Sequence, residues 1–436
     1  MRRLAIVGSG PAGFYTAEAA LKRFGEAVEI DILDRLPTPY GLIRAGVAPD
    51  HQSIKAVSKR YHQVAVDERV RFSGNVLVGR DLSLAELQAL YDDVVLAVGA
   101  PEDRPLGIPG DDLPGVVGSA AFVGWYNGHP DFHQLAPLLD GDSVAVVGNG
   151  NVAIDCARIL AKTTNELSTS DIADHALAPL SRTALRHIHM LGRRGPHQVS
   201  FTLKEVGELG ELERATPAVS PDDFPPVETD AALETGQRRV VEVLRRFAAN
   251  GPDPAKPITL HMRFFRRPVE ILGSKRVEAV KLMVTALDAD GRATDTGETE
   301  ILPCSLVIAA IGYRTAAIPG VPFDGRRGIF ENENGLISPG LWCVGWSARG
   351  PSGTIGTNRP TAIELVERIA GTPPGDGAGT KAGRAGLDRL LQQRGVKRSS
   401  FADWEKIDAA EVAAARPGAP REKLVRLDQL LDLIGL

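Results

Sequence analysis

Short unbroken apolar runs dominate the chain, and two of them open the same longer pattern. "LAIVGSGPAGFYTAEAAL", beginning at Leu4, and "VAVVGNGNVAIDCARIL", beginning at Val144, each pass from a β-rich run through a Gly-x-Gly turn into helical spacing. An unbroken run of this kind predicts a strand buried on both faces of a parallel sheet. The turn predicts a helix whose N-terminal amides and dipole receive a pyrophosphate, with glycine where a side chain would block the approach. Two copies predict two nucleotide-binding domains.

The copies differ downstream. After Gly8, Gly10 and Gly13 comes the strand "VEIDIL" and then Asp34, where an acid would hold ribose hydroxyls; a solvated turn acid would look the same. In the second copy, Gly148, Gly150 and Ala153, the next strand "LRHIHML" ends in "GRRGP". That puts Arg193 and Arg194 where the adenosine ribose should lie, and guanidinium forks suit a 2′-phosphate. A solvated loop would also carry two arginines, but their place after the glycine turn favours NADP(H) over NAD(H). "DDVVLAVGA" at Asp92 and "CSLVIAAIGY" at Cys304 read as strands returning beneath a dinucleotide, and "GLWCVGWSARGPSGTIGTNRPTAIELVERI" as strand, glycine-rich loop and helix. If that loop closes over the first cofactor, the first domain is discontinuous. The expected fold is α/β, with two Rossmann-like three-layer domains: residues 1–107 and 325–436 for the first dinucleotide, and an inserted 108–324 for NADP. From Gly371 to Gly386 the composition reads as a flexible or surface segment, followed by a helical tail.

Composition narrows the class. With 43% hydrophobic and 24% charged residues the chain should fold almost throughout, and a net charge of −5 gives no sign of nucleic-acid binding. Cys156, Cys304 and Cys343 lie far apart without a C-x-x-C, so neither a metal knuckle nor a redox dithiol is expected. The first apolar run is cut by Gly8, short of a signal-peptide core, and no run approaches the ~18 apolar residues of a membrane span. A cytoplasmic protein, or the mature form of an organellar one, fits best. The arginine-, alanine- and glycine-rich composition is compatible with a bacterial source.

Taken together, "VGSGPAGFYTA", "YGLIRAGVAPDH", "FVGWYNG", "GNGNVAIDCARIL", "GRRGPHQVSFTLKE", "GWSARGPSGTIGTN" and "FADWEKIDAAEV" resemble the adrenodoxin reductase type of ferredoxin–NADP reductase over nearly the whole chain. The resemblance implies an FAD enzyme that accepts hydride from NADPH and passes single electrons to a small acidic iron–sulfur protein, a ferredoxin. A cytochrome P450 or another oxygenase would be the final acceptor. It implies FAD contacts at Gly8, Gly10, Ala12, Gly13, Asp34, Gly41, Leu42, Val78, Gly99, Trp346, Gly353, Thr354 and Ile355. For NADP it implies Gly148, Asn149, Gly150, Asn151, Val152, Arg193, Arg194, Glu205 and Gly353. His51 and Glu208 would be the polar active-site pair, orienting the nicotinamide over the flavin and adjusting proton balance. Many members carry a glutamate where this chain has Asp34, so that contact is direct or through water. From spacing alone His51 reads as a turn residue, Glu205 and Glu208 as one solvated helix face, and Trp346 as core.

An acidic partner requires a local basic face. "GQRRVVEVLRRFA" offers Arg238, Arg239, Arg245 and Arg246, and "RFFRRP" adds Arg263, Arg266 and Arg267. The resemblance assigns docking to the region of Arg238 and Arg239; a solvated helix face is an equal reading. The rivals are a flavoprotein reductase with another acceptor, such as a quinone or a glutamate-synthase partner, and a non-catalytic nucleotide-binding flavoprotein. The glutamate-synthase subunit carries an N-terminal cysteine-rich region, whereas here no cysteine precedes Cys156.

Overall fold

The computed structural model describes residues 1–373 and 380–436, which form two units. The first contains Met1–Glu102, Gly312–Arg416 and Pro420–Leu436; the second contains Asp103–Ile311 with Pro417–Ala419. Both passages fall earlier than the 107 and 325 read from the sequence. The strand Leu306–Ala309 still pairs within the second sheet, while Thr315 Oγ1 already donates to the Gly99 carbonyl at 2.8 Å in the first unit.

In the first unit a six-stranded sheet runs in the order Leu336–Ser338, Leu341–Cys343, Asp93–Leu96, Arg2–Val7, Val28–Leu33, Val70–Ser73. All its pairings are parallel except that of the first two strands. Alternation along the strands sends Leu4, Ile6 and Ile30 into a core shared with the helices Pro11–Phe24 and Asn358–Gly371, while Ala5, Val7 and Leu96 pack with Leu84, Leu387 and Leu391. Three layers result, as expected. One acid breaks the apolar run: Asp31 is 0% exposed, yet it accepts hydrogen bonds from Tyr91 Oη at 2.7 Å and Arg71 Nε at 2.6 Å. A buried carboxylate persists only when paired and hydrogen-bonded in this way.

Of the Gly371–Gly386 segment, residues 374–379 lie outside the described ones. Its end differs from the expectation, because Gly383 begins the helix Gly383–Gln393. A Cβ on Gly383 would meet Arg3 Cδ at 2.4 Å and one on Gly386 would meet Leu90 Cδ2 at 2.4 Å, so these glycines serve close packing.

The second unit is built on six parallel strands in the order Val116–Gly118, Leu306–Ala309, Ser143–Val147, His187–Leu191, Ile258–Arg263, Ala215–Val219. Helices Asn151–Ala161 and Thr235–Asn250 cover one face through Ile154, Leu160, Leu244 and Phe247. The other face is covered by an antiparallel meander, Arg266–Leu272, Ala279–Leu287 and Ala293–Pro303, through Ile271, Val280, Leu282 and Leu302. Its last strand, "ATDTGETEILP", is an outer one and mostly exposed. All three cysteines are buried and unbridged, and burial pushes the Cys304 and Cys343 thiols up to about 12. Among the described residues, no helix is long and apolar enough to cross a membrane.

Three imidazoles share a face of the second sheet. His189 stands opposite His261 across the strand pair with ring centroids 4.6 Å apart, and His187 Nδ1 lies 3.1 Å from His261 Nε2. Burial, then His261, Arg263 and His187, push His189 down to about 3; burial, then His187 and Arg263, push His261 down to about 4. The unfolded chain binds these protons near the ordinary histidine value and the folded chain does not, so stability is full above about pH 6.5 and falls toward pH 4. Replacing His189 by Gln should flatten that acid slope by up to about one proton in urea unfolding between pH 7 and 4.5. An unchanged slope would place the acid sensitivity elsewhere.

Candidate dinucleotide-binding sites

Each glycine turn is closed from behind and open in front. Gly8 has φ +111, its N–H donates to Leu33 O at 2.7 Å, and a Cβ there would lie 2.4 Å from Ala97 O. A Cβ on Gly13 would lie 2.0 Å from Gly8 O, so only glycine lets the helix seat against the turn. Gly10, the N-cap of Pro11–Phe24, makes no side-chain cap and has nothing within 4 Å of its Cβ position. The first-turn amides, that of Ala12 among them, therefore face open space, where an anion is favoured.

Two further segments of the same unit come to this turn. Tyr40 N donates to Ser9 O at 3.0 Å, and a Cβ on Gly41 would come 3.0 Å from Gly10 Cα. Gly345, at φ +76, lies so close that its Cβ would meet Ala12 Cβ at 2.7 Å. Trp346 Nε1 donates to Ser352 O at 3.1 Å; Gly353 is at φ +81; Thr354 caps the Ile355–Thr357 turn ahead of the helix Asn358–Gly371. Leu42 is half-buried at the start of Leu42–Ala45, and His51 is 8% exposed at the head of Gln52–Lys55. Val78 is buried in the core with Leu82, and Gly99 is at φ +69.

Asp34 is more committed than its sequence position implies. Its Oδ2 accepts from Ser9 N at 2.9 Å and Ser9 Oγ at 2.5 Å, and its Oδ1 accepts from Leu36 N at 3.0 Å. By lone-pair count one acceptor position on Oδ1 remains. The shorter acid folds back to fasten the turn. Arg349 has no counterpart in the sequence reading: its Nη2 donates to Asn358 Oδ1 at 3.0 Å, while its Nη1 is buried without a hydrogen-bond partner. Burial lowers its pKa. The signal was present in "SARGPSG", a cation inside a glycine-rich loop.

In the second unit Gly148, at φ +143, leaves no room for a Cβ, which would sit 2.3 Å from Ala310 O. Gly150 caps Asn151–Ala161 without a side-chain bond and is open in front. A Cβ on Gly192 would strike Asn149 Nδ2, and Asn151 Oδ1 accepts from Thr202 N at 2.9 Å; Val152 is half-buried against the core. Arg193 is exposed and Arg194 half-buried, and among the described residues neither guanidinium has a hydrogen-bond or ion-pair partner. Thr202 Oγ1 donates to Glu205, which is 9% exposed. Glu208, on the same helix, Leu203–Leu209, pairs with Arg158 Nε at 3.3 Å and Lys204 Nζ at 3.8 Å. Arg158 is 1% exposed and also bonds Asp155 at 2.8 Å. The sequence reading treated its run as plain helix; an arginine amid "AIDCARIL" was the clue.

The candidate basic residues are held unequally. Arg245 is held by Asp230, Arg263 and Arg266 by Glu300, and Arg267 by Asp295, so their charge is largely neutralised. Arg238 Nη2 donates to the carbonyls of Ala231 and Leu233 at 3.1 Å, ordering the segment before its own helix. Arg239 and Arg246 remain exposed. Among the described residues no group of acids, histidines and cysteines could hold a metal.

The class this defines is a two-dinucleotide oxidoreductase, with an uncapped helix of 14 residues in one unit and of 11 in the other ready for a pyrophosphate. Known proteins agree. The pyridine nucleotide-disulphide oxidoreductase family model matches residues 2–194. Mitochondrial NADPH:adrenodoxin oxidoreductase of Mus musculus is 42% identical over 99% of this chain and 92% of its own, and NADPH-ferredoxin reductase FprA of Mycobacterium leprae is 42% identical over 99% and 98%. The solved structure of Mycobacterium tuberculosis FprA in complex with NADPH superposes with a TM-score of 0.95 at 41% identity, covering 100% of both chains. The chain belongs to the adrenodoxin reductase family of ferredoxin reductases. FAD and NADP(H) are the cofactors of such an enzyme. The glycine cradle at Gly8–Gly13 and the Arg349 Nη1 left without a hydrogen-bond partner fit the first, and Gly148–Gly150 with Arg193 and Arg194, which have no partner among the described residues, fits the second.

Proposed function

We propose that the chain takes reducing equivalents from NADPH and delivers them singly to a small acidic iron–sulfur protein of the ferredoxin type. The observation that carries this reading is the asymmetry of the two turns. The acid after the first turn is tied into the turn itself, while the second is followed by Arg193 and Arg194 without partners among the described residues. Positive charge thus awaits a 2′-phosphate after the second turn.

In the first unit the amides at Gly10, Ala12 and Gly13 hold the FAD pyrophosphate, and Asp34 serves the ribose through its remaining acceptor position. Gly41, Leu42, Val78, Gly99, Trp346, Gly353, Thr354 and Ile355 complete that cofactor's surroundings. In the second, Gly148, Asn149, Gly150, Asn151 and Val152 hold the NADP pyrophosphate, with Glu205 near the nucleotide. When bound, FAD accepts two electrons as a hydride and releases them one at a time. His51 and Glu208 orient the reacting groups and hold protons, and Arg158 fixes the Glu208 carboxylate from the turn's own helix. Arg239 is the residue best placed to steer an acidic partner, being exposed where Arg238 is engaged. The ferredoxin would feed a cytochrome P450 or another oxygenase, in the cytoplasm of a bacterium.

Anaerobic mixing with NADPH should bleach the flavin rapidly, and one member of a ferredoxin panel should restore the colour; reoxidation only by quinones would replace the partner. Removing both guanidiniums, Arg193→Ala with Arg194→Ala, should raise KM for NADPH by about ten- to a hundredfold, the scale of lost charge-assisted hydrogen bonds, and leave KM for NADH nearly unchanged. Equal changes would sink the 2′-phosphate assignment. His51→Gln and Glu208→Gln should each slow flavin reduction by about ten- to a hundredfold with FAD still bound. Wild-type reduction rates would take both out of the mechanism. Charge reversal in Arg239→Glu should slow ferredoxin reduction at low salt and spare ferricyanide; unchanged ferredoxin kinetics would move the docking face.

A further inference from the structure

The helix Phe401–Ala413, in the tail, lies far from both glycine turns in sequence, yet its most deeply buried charge is directed at the loop that closes over the first of them. Glu411 has a side chain 0% exposed. Arg44 grips both its oxygens, with Nη1 donating to Oε2 at 2.7 Å and Nη2 to Oε1. The Leu424 amide donates to Oε1 at 2.9 Å, and Arg421 Nη1 stands 3.4 Å from Oε2. Burial alone would discharge this acid, but Arg44, the Leu424 amide and Arg421 hold its carboxyl below the usual carboxylate range. The same helix supplies Trp404, whose ring lies 5.1 Å from the Arg44 guanidinium and 5.7 Å edge-on from the ring of Tyr40.

The loop so held is strained. Tyr40 has φ +83 and Gly41 φ +50, and a tyrosine keeps such a backbone only where its surroundings over-determine it. Its surroundings are Trp404 on one side and, on the other, Phe14 at 5.5 Å and the Ser9 carbonyl. The strain places Gly41 against Gly10, in front of the open helix terminus. We propose that Glu411 is a positioning residue for FAD, fixing the Tyr40–Gly46 loop over the Gly8–Gly10 turn through Arg44. The proposal rests on the FAD site described above. A merely structural ion pair would lower stability without loosening the cofactor.

The test compares full-length wild type, Glu411→Gln and Leu391→Ala, a core truncation on the opposite face of the same sheet, by FAD titration and hydrogen exchange of residues 40–46. FAD should slow exchange of that loop in the wild type. Glu411→Gln should then weaken FAD binding by about ten- to a hundredfold and speed loop exchange, and Leu391→Ala should do neither. Should Glu411→Gln not fold, Trp404→Leu, which removes the ring beneath Arg44, should change both readouts in the same direction. FAD protection of the wild type with wild-type behaviour of the Glu411 or Trp404 variant, or an equal loss in Leu391→Ala, would overturn the proposal alone. No protection by FAD in the wild type would overturn the site reading and the proposal with it.

Discussion

The distance between two pieces of main chain governs each unit. Gly13 can seat its helix on the Gly8 carbonyl only because it has no Cβ, which would lie 2.0 Å away, and Gly148 passes Ala310 O under the same restriction. Once that contact is made, the strand before the turn must be buried on both faces and the helix after it must start uncapped. The close seating of the helix on its strand and the open amide terminus follow from it. A methyl group at either glycine would push the helix off its sheet and remove the anion site in the same step.

Much of this was legible because it rests on local pattern. The runs at Leu4 and Val144, the turns behind them and the arginines after the second strand are each readable within one strand–helix unit. What was not legible depended on contacts across long stretches of sequence. Asp31 lies within the strand "VEIDIL", and nothing in that run shows that Arg71 and Tyr91 are brought to it. Asp34 reads as a ribose acid, and the sequence does not show that Ser9 and Leu36 occupy three of its acceptor positions. The arginines of "RFFRRP" read as free charge because Asp295 and Glu300, on the outer strand of a meander, could not be placed beside them. Gly383 and Gly386 were misread for the same reason: glycine signals looseness in sequence, but here it admits the side chains of Arg3 and Leu90.

The charged network also separates two kinds of arginine. Arg44, Arg71 and Arg158 are half-buried or buried and each meets a carboxylate from another helix or strand, so their effect is to fix geometry. Arg193, Arg194 and Arg239 carry no such partner among the described residues and keep their charge for something outside the chain. The division follows burial, and it assigns roles better than the count of basic residues in a segment does.

The outer strand of the meander has a consequence for the protein in bulk. A long exposed edge offers unpaired amides and carbonyls to any neighbouring chain. Ala293–Pro303 is such an edge, but it carries Asp295, Glu298 and Glu300 with Gly297 among them and few apolar side chains. Asp295 and Glu300 are already paired with Arg267, Arg263 and Arg266, so of these acids Glu298 is the one an approaching edge would meet. The second unit therefore replaces a covering layer of helices with strands, and leaves the outer edge of that layer interrupted by acids and a glycine.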